Sequence, residues 1–335
     1  MTLAEPIAAT PLRSLKRLFL WLNSGCNSRC RMCDIWREEK GSYLTVAEIE
    51  AWLPEWRQLS LSSVVICGEP LLHPDLWEIV AVLRAGGIEI EMLSNGYLVP
   101  RHARRIVDSC EVLRISLDGP DGVHDLVRGT RRAFALVERA LRSLRELDPG
   151  FPVDARCAVH RQNFRHLRET VRAARRAGFR SISFSGTDVS SEEAFKRHGR
   201  LDSDYVDSLV IAGAELDELE AELAAMARDC AAEFAGGFIT DTPADLERLI
   251  LHHYRALAGQ RPFPAVRCDA PWTSAVLEHD GTMRSCFPLP AYGVAGAGSG
   301  FLATLNSPEA QAFRERLDVA SNPTCERCVC QTCSA

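Results

Sequence analysis

The residues with the strongest chemical potential are cysteines, and they gather near the two ends of the chain. Cys26-Asn27-Ser28-Arg29-Cys30-Arg31-Met32-Cys33 places three thiols within eight residues, with three and then two residues between them. Thiolates at that density bind a soft metal or an iron–sulfur cluster. A four-iron cluster held by only three of them keeps one iron open to a small molecule. A structural zinc knot completed by one remote ligand would use the same three residues. Near the other end stand Cys268, Cys286, Cys325, Cys328, Cys330 and Cys333. Cys67, Cys110, Cys157 and Cys230 are scattered between and read as small buried hydrophobes. The N-terminus lacks a basic-then-apolar signal, so a reducing cytoplasm without disulfides is expected.

The first two-thirds of the chain alternates short apolar runs with helical periodicity. Candidate strands are Leu18–Leu22, Ser63–Cys67, Glu89–Leu93, Val112–Leu117, Val153–Val159 and Ser181–Ser185. Short, nearly continuous apolar runs are what parallel strands covered on both faces require. Between them, Thr45 with Glu48 makes a capping box. Pro74 suits a helix start, and Gly86-Gly87 a helix end. Phe134, Val137, Leu141 and Leu144 keep helical spacing, as do the apolar residues of 164–177. Six βα units imply a parallel sheet with right-handed crossovers, too few for a closed eight-stranded barrel.

From Asp202 the pattern turns helical, with Val206, Leu209, Leu216, Leu219, Leu223 and Met226 as one packing stripe. Phe238–Thr240 reads as a short strand and Asp245–Leu257 as a helix. His252 and His253 read as surface or packing residues, since no metal set accompanies them. Beyond Pro262 the chain is rich in Pro, Gly and Cys. Val276–Glu278 and Thr282–Cys286 read as a hairpin through His279-Asp280-Gly281, and Ser307-Pro308-Glu309 opens a helix.

The 335 residues suit about two domains. A net charge of −6 argues against general nucleic-acid binding, and the arginines of 101–105 and 172–176 read as solvated helix faces. No apolar run approaches the ~20 residues of a membrane helix, so neither a nucleic acid nor a membrane is expected as partner.

Four motifs in order resemble the radical SAM superfamily. The cysteine triplet follows the first strand. Cys67-Gly68-Glu69-Pro70 ends the second, resembling the Gly-Gly-Glu-Pro motif with Cys67 in place of its first glycine. Ser94-Asn95-Gly96 and Ser116-Leu117-Asp118-Gly119 follow the third and fourth. The resemblance implies an α/β fold, a partial (β/α)6 TIM-like barrel over 14–190, preceded by a tail, 1–13, and followed by a helical bridge, 191–261. It implies a [4Fe–4S] cluster on Cys26, Cys30 and Cys33, and S-adenosyl-L-methionine (SAM) on its open iron. By position Gly68 and Glu69 would hold the methionine end of SAM. Ser94, Asn95, Ser116 and Asp118 would serve its ribose and carboxylate, and Arg128 its carboxylate. Met32 stands where the family usually has an aromatic ring. Cys67 is either a tolerated small residue or a hydrogen-atom donor of the kind an epimerase needs.

The C-terminal cysteines resemble the SPASM/twitch extension, making 262–335 a small Cys-rich auxiliary-cluster domain. Six cysteines fall short of the seven of a full SPASM pattern. This implies one auxiliary [4Fe–4S] cluster on Cys268, Cys286, Cys325 and Cys328. Cys330 or Cys333 would substitute, or hold part of a second cluster. A zinc ribbon is the alternative for these thiols. The activity implied is reductive cleavage of SAM and hydrogen abstraction from a sugar, aminoglycoside or nucleoside, in a dehydrogenation or an epimerisation. The short stretch before Leu18 favours such a small molecule over a ribosomally made peptide. An external electron donor such as flavodoxin or ferredoxin is implied as partner. A non-catalytic iron–sulfur electron carrier is the rival class, and Gly68-Glu69-Pro70 argues against it.

Overall fold

Alternation within the strands decides which side chains face the helices and which face the mouth of the sheet. The computed structural model describes residues 11–193, 201–296 and 299–330. In it β1 (Arg17–Trp21), β2 (Ser63–Cys67), β3 (Glu89–Ser94), β4 (Val112–Ser116), β5 (Val153–Val159) and β6 (Ser181–Gly186) pair in sequence order, all parallel. Leu18, Leu20, Val64, Ile66, Ile90, Met92, Leu113 and Ile115 point one way and are completely buried in the main core. The alternate residues, Phe19, Val65, Glu91, Arg114 and Arg156 among them, share the opposite, inward face.

The covering helices are α1 (Val46–Gln58), α2 (Leu76–Ala85), α3 (Val99–Ser109), α4 (Asp121–Arg128), α5 (Ala133–Arg145) and α6 (Leu167–Ala177). Thr45 and Glu48 form the expected capping box on α1: the Thr45 hydroxyl accepts from Glu48 N, and the Glu48 carboxylate accepts from Thr45 N at 2.8 Å. Such a cap contributes about 1 kcal/mol. Pro74 does not start α2. The Asp75 N–H is taken by His73 Nδ1 at 3.1 Å, Asp75 becomes the N-cap, and the helix begins at Leu76. Gly87, at φ +78°, turns the chain from α2 toward β3.

The acidic stripe forms two helices rather than one, α7 (Ser203–Leu209) and α8 (Glu215–Asp229), parted at Gly213 with φ +57°. Leu216, Leu219, Leu223 and Met226 are buried against α6, and Arg161, Arg165 and Arg168 pair with Glu215, Glu218 and Glu222 across the seam. Phe238–Thr240 makes only a short bridge to the outer edge of β6, through Ile182 N to Phe238 O at 2.7 Å and Thr240 N to Ile182 O at 3.0 Å. Residues Pro243–Leu257 are helical with one wide turn at Glu247–Leu251.

The largest departure from the sequence-based expectation lies beyond Pro262. β7 (Ser274–Leu277) pairs parallel with β1, on the side away from β2. β8 (Thr282–Arg284) and β9 (Ala291–Val294) continue antiparallel from it, the β7–β8 turn closing at Gly281 with φ +84°. Among the described residues one sheet of nine strands results, open at β6 and β9. The expected hairpin is therefore an extension of the barrel sheet.

Candidate functional site

The candidate residues converge because the six parallel strands all end on one side. The loop after β1 carries Cys26, Cys30 and Cys33, and Cys67-Gly68-Glu69 closes β2. Ser94-Asn95 closes β3, Ser116 and Asp118 close β4, and α4 delivers Arg128. Backbone contacts hold the cysteine loop onto α4: Arg29 N donates to Arg128 O at 3.2 Å and Arg31 N to Val127 O at 3.0 Å. Gly129 sits at φ +58°, and the Arg29 carbonyl occupies the space a β-carbon there would need.

Donors surround the thiols. Ser28 N lies 3.4 Å from Cys26 Sγ, and Asn95 Nδ2 lies 3.8 Å from the same sulfur. The Ser28 hydroxyl and Arg128 Nη1 approach Cys30 Sγ at 3.3 and 3.4 Å. Burial, with Glu69 nearby, pushes the Cys26 thiol up to about 12. A thiol so placed ionises when a cation sits beside it, which is what a metal ligand experiences. Cys33 and Cys26 pack with Trp21, Ile35 and Cys67 in a small apolar cluster. The Cys67 thiol is buried and donates to Leu20 O at 3.6 Å.

Glu69 is 1% exposed and firmly oriented. The Ser94 hydroxyl donates to Oε1 at 2.9 Å and Asn95 N to Oε2 at 2.8 Å, while Asn95 Nδ2 reaches Asn27 Oδ1 at 2.6 Å. Burial raises the Glu69 carboxyl to about 7 against these hydrogen bonds. Gly68, at φ +80°, has no room for a side chain, since a β-carbon would lie 2.8 Å from the Trp21 ring. Asp118, fully buried, turns its carboxylate to Arg128 Nη2 at 2.6 Å and accepts from Ala158 N at 2.8 Å. Burial opposes the charge on Arg128, but Asp118, Cys30 and Tyr97 outweigh it and hold the guanidinium above its usual range. Arg128 Nε is buried with no hydrogen-bond partner among the described residues. Ser116 is half-buried on the inward face, in register with Arg156.

Several supporting residues escaped the sequence reading. Asn163 Nδ2 ties Asp118 O and Ala158 O together, each at 2.9 Å, and His124 Nδ1 accepts from Asp118 N at 3.1 Å. Tyr97 and Ser28 share a 3.3 Å contact beside Cys30. Only Ser28, lying inside the cysteine loop, carried a local signal.

A second thiol set lies beside β7 and β8. Cys268, Cys286, Cys325, Cys328 and Cys330 line one narrow cleft with Val266, Pro288 and Leu289. Burial, then neighbouring Cys328, Cys330, Cys268 and Cys325, drives the Cys286 thiol well above its usual range. Cys328 is pushed to about 12 and Cys325 to about 11, again chiefly by burial. Buried thiols that each hinder the next from ionising fit a cationic iron–sulfur group placed among them. Among the described residues no three His, Cys, Asp or Glu side chains close on a point as ligands of a single ion would. Cys333 lies outside the described residues. No helix among the described residues is long and apolar enough to cross a membrane.

The family model of the radical SAM superfamily matches residues 22–197, and that of the SPASM iron–sulfur cluster-binding domain matches 268–329. An AdoMet-dependent heme synthase of Nitratidesulfovibrio vulgaris is 27% identical over 169 residues, 48% of this chain and 46% of that protein. Mycofactocin maturase MftC of Mycobacterium ulcerans is 33% identical over 129 residues, 37% of this chain and 34% of that protein. The chain thus spans half or less of these relatives. In fold it is similar to Streptococcus suis SuiB bound to precursor peptide SuiA, with a TM-score of 0.62 at 14% identity, over 95% of this chain and 71% of that one.

Proposed function

This chain belongs to the radical SAM superfamily, and on that premise we propose that it oxidises a polar small molecule by hydrogen-atom abstraction. A radical SAM domain takes a [4Fe–4S] cluster and SAM, and a SPASM domain takes auxiliary iron–sulfur clusters. When bound, the first cluster and SAM would supply a 5′-deoxyadenosyl radical able to remove hydrogen from an unactivated C–H bond, and the auxiliary cluster would take the second electron, the remaining proton passing to solvent.

The observation that carries the proposal is the buried, oriented Glu69 carboxylate in the same mouth as the three-thiol loop. Cys26, Cys30 and Cys33 are the ligand set for the first cluster. Cys268, Cys286, Cys325 and Cys328 are that for one auxiliary cluster, with Cys330 the alternate ligand. Glu69 pairs with the SAM ammonium, and Gly68 lets the backbone approach. The Ser94 hydroxyl and the Asn95 backbone N–H orient Glu69, and the Asn95 side chain is held by Asn27. Asp118 holds Arg128, whose Nε–H has no partner among the described residues and is one donor available to the SAM carboxylate. Ser116 faces the ribose. The inward face beyond it offers Arg156, Ser183 and Ser185, polar groups that suit a sugar, aminoglycoside or nucleoside. The units we assign are 1–13, 14–190, 191–261 and 262–335.

Cys67 is read as a packing residue. Its buried thiol donates to Leu20 O, which favours dehydrogenation over an epimerisation that uses this thiol.

Anaerobic reconstitution tests the proposal. About eight irons and eight sulfides are expected for two four-iron clusters, about half of them lost when Cys26, Cys30 and Cys33 are changed together to Ala. Dithionite-reduced protein is expected to form 5′-deoxyadenosine, and turnover in deuterated water to give product two mass units lighter with no deuterium on carbon. Stoichiometric zinc without sulfide would sink the cluster assignment. Turnover of a ribosomally made peptide, with none on the small-molecule panel, would move the substrate class.

A further inference from the structure

The outer side of the cysteine loop carries a basic surface with an exposed apolar side chain. Leu126, on the last turn of α4, is 48% exposed, one of few large apolar side chains so placed among the described residues. Arg29, Arg31, Arg37, Arg131 and Arg132 are all exposed around it. The geometry keeps them together. Arg31 Nε donates to Leu126 O at 3.3 Å, and Arg29 and Arg37 both lie over the Trp36 ring, at 5.8 and 4.9 Å from its centroid. Arg131 and Arg132 follow Gly129, against which the Arg29 backbone is seated. Five exposed arginines on the cysteine loop and just after α4, one of them held on Leu126, make this side basic beside an exposed apolar side chain, with Glu39 the exposed acid near Arg37, in a chain of net charge −6.

This patch lies directly over the thiols. Cys30 is bonded to both Arg29 and Arg31, and Arg128, two residues from Leu126, touches Cys30 Sγ at 3.4 Å. Electron tunnelling weakens steeply with distance, and a surface built on the neighbours of Cys30 offers the first cluster site a short protein path. Basic surfaces steer acidic partners and fix their register.

We propose that this patch docks an acidic one-electron carrier protein and is the port through which the first cluster site is reduced. The proposal rests on the assignment of Cys26, Cys30 and Cys33 to an iron–sulfur cluster. In the exchange the carrier's flavin or iron–sulfur centre is oxidised by one electron, and the group held by the three thiols is reduced by one. No bond between the two proteins forms.

The test uses the reconstituted protein with two reductants, flavodoxin hydroquinone and dithionite, and a direct flavodoxin-binding measurement. Changing Arg31, Arg37 and Arg131 together to Glu is expected to lower flavodoxin-driven 5′-deoxyadenosine formation and flavodoxin affinity by about tenfold or more. The dithionite-driven rate and the iron content are expected to stay at wild-type level. Raising ionic strength should slow the flavodoxin reaction of the wild type alone. A triple Gln variant, expected to show a smaller loss in the same direction, covers the case in which charge reversal prevents folding. Equal losses with both reductants, or unchanged flavodoxin affinity, would overturn the proposal. So would an unchanged flavodoxin affinity alongside weakened binding of an acidic peptide, which would assign the patch to a substrate. Failure of wild-type protein to act even with dithionite would indict the cluster assignment, while the binding measurement still reads the surface.

Discussion

Replacing Asp118 with Ala strikes the element that fixes Arg128 beside the cysteine loop. The Asp118 side chain is 0% exposed and that of Arg128 10%, so solvent screens their 2.6 Å contact little. Removing one partner leaves a buried guanidinium uncompensated, at a cost of about 3–5 kcal/mol. The Ala158 N–H, which donates to Asp118 at 2.8 Å, loses its acceptor too, adding about 1 kcal/mol or more. Much of that loss should be absent when the charge is also gone. In a double-mutant cycle with Arg128→Met, the pair should show a coupling of about 2–3 kcal/mol. Anaerobic urea unfolding of the four proteins measures the cycle, and SAM titration of the folded variants reads the site. Asp118→Ala should also weaken SAM binding, because Arg128 would lose its fixed orientation. A cost below about 1 kcal/mol, with additive behaviour of the two substitutions, would refute the idea that Asp118 positions Arg128.

Gly68→Ala requires a left-handed alanine and drives its β-carbon into the Trp21 ring. We expect a loss of at least about 2 kcal/mol from backbone strain and overpacking combined, with reduced iron retention because Trp21 packs against Cys26 and Cys33. Glu69→Gln keeps the shape and removes the charge; SAM affinity should fall about ten- to a hundredfold, as for a lost charged hydrogen bond, and an unchanged Kd in calorimetry would show the carboxylate to be elsewhere engaged. His253 is buried between Tyr254 and Phe263, and burial lowers its pKa to about 4, with Asp188 opposing. The folded state therefore binds fewer protons than the unfolded one. Its contribution is present above about pH 6.5 and fades as the pH falls toward 4, by about 3 kcal/mol in all. His253→Phe should flatten the pH dependence of unfolding over that window, and an equal slope in both proteins would contradict it.

The six parallel strands and the order of the motifs at their ends were legible in the residue pattern alone. Short apolar runs such as Ser63–Cys67 and Val153–Val159 appear as strands with those bounds, because burial on both faces writes itself into consecutive residues. The Thr45–Glu48 cap was equally legible, since its chemistry spans one helical turn. Spacing also revealed both thiol sets, because the first lies within one loop and the last four cysteines within one short run. The contacts that local pattern did not encode join residues far apart in the chain. β7 completes the far side of β1 by pairing Phe19 with Val276, a register no local pattern encodes. Asp118 follows β4 in the chain, but its buried partners, Arg128 and the Ala158 N–H, come from separate segments. The Ser94 hydroxyl and the Asn95 backbone N–H likewise donate to Glu69, which lies one βα unit earlier, while the Asn95 side chain turns to Asn27. Local sequence carries periodicity, caps and turn chemistry. The partner of a buried charge is fixed only when separate segments meet, because desolvation forces each such group onto whichever complementary group the packing brings within reach.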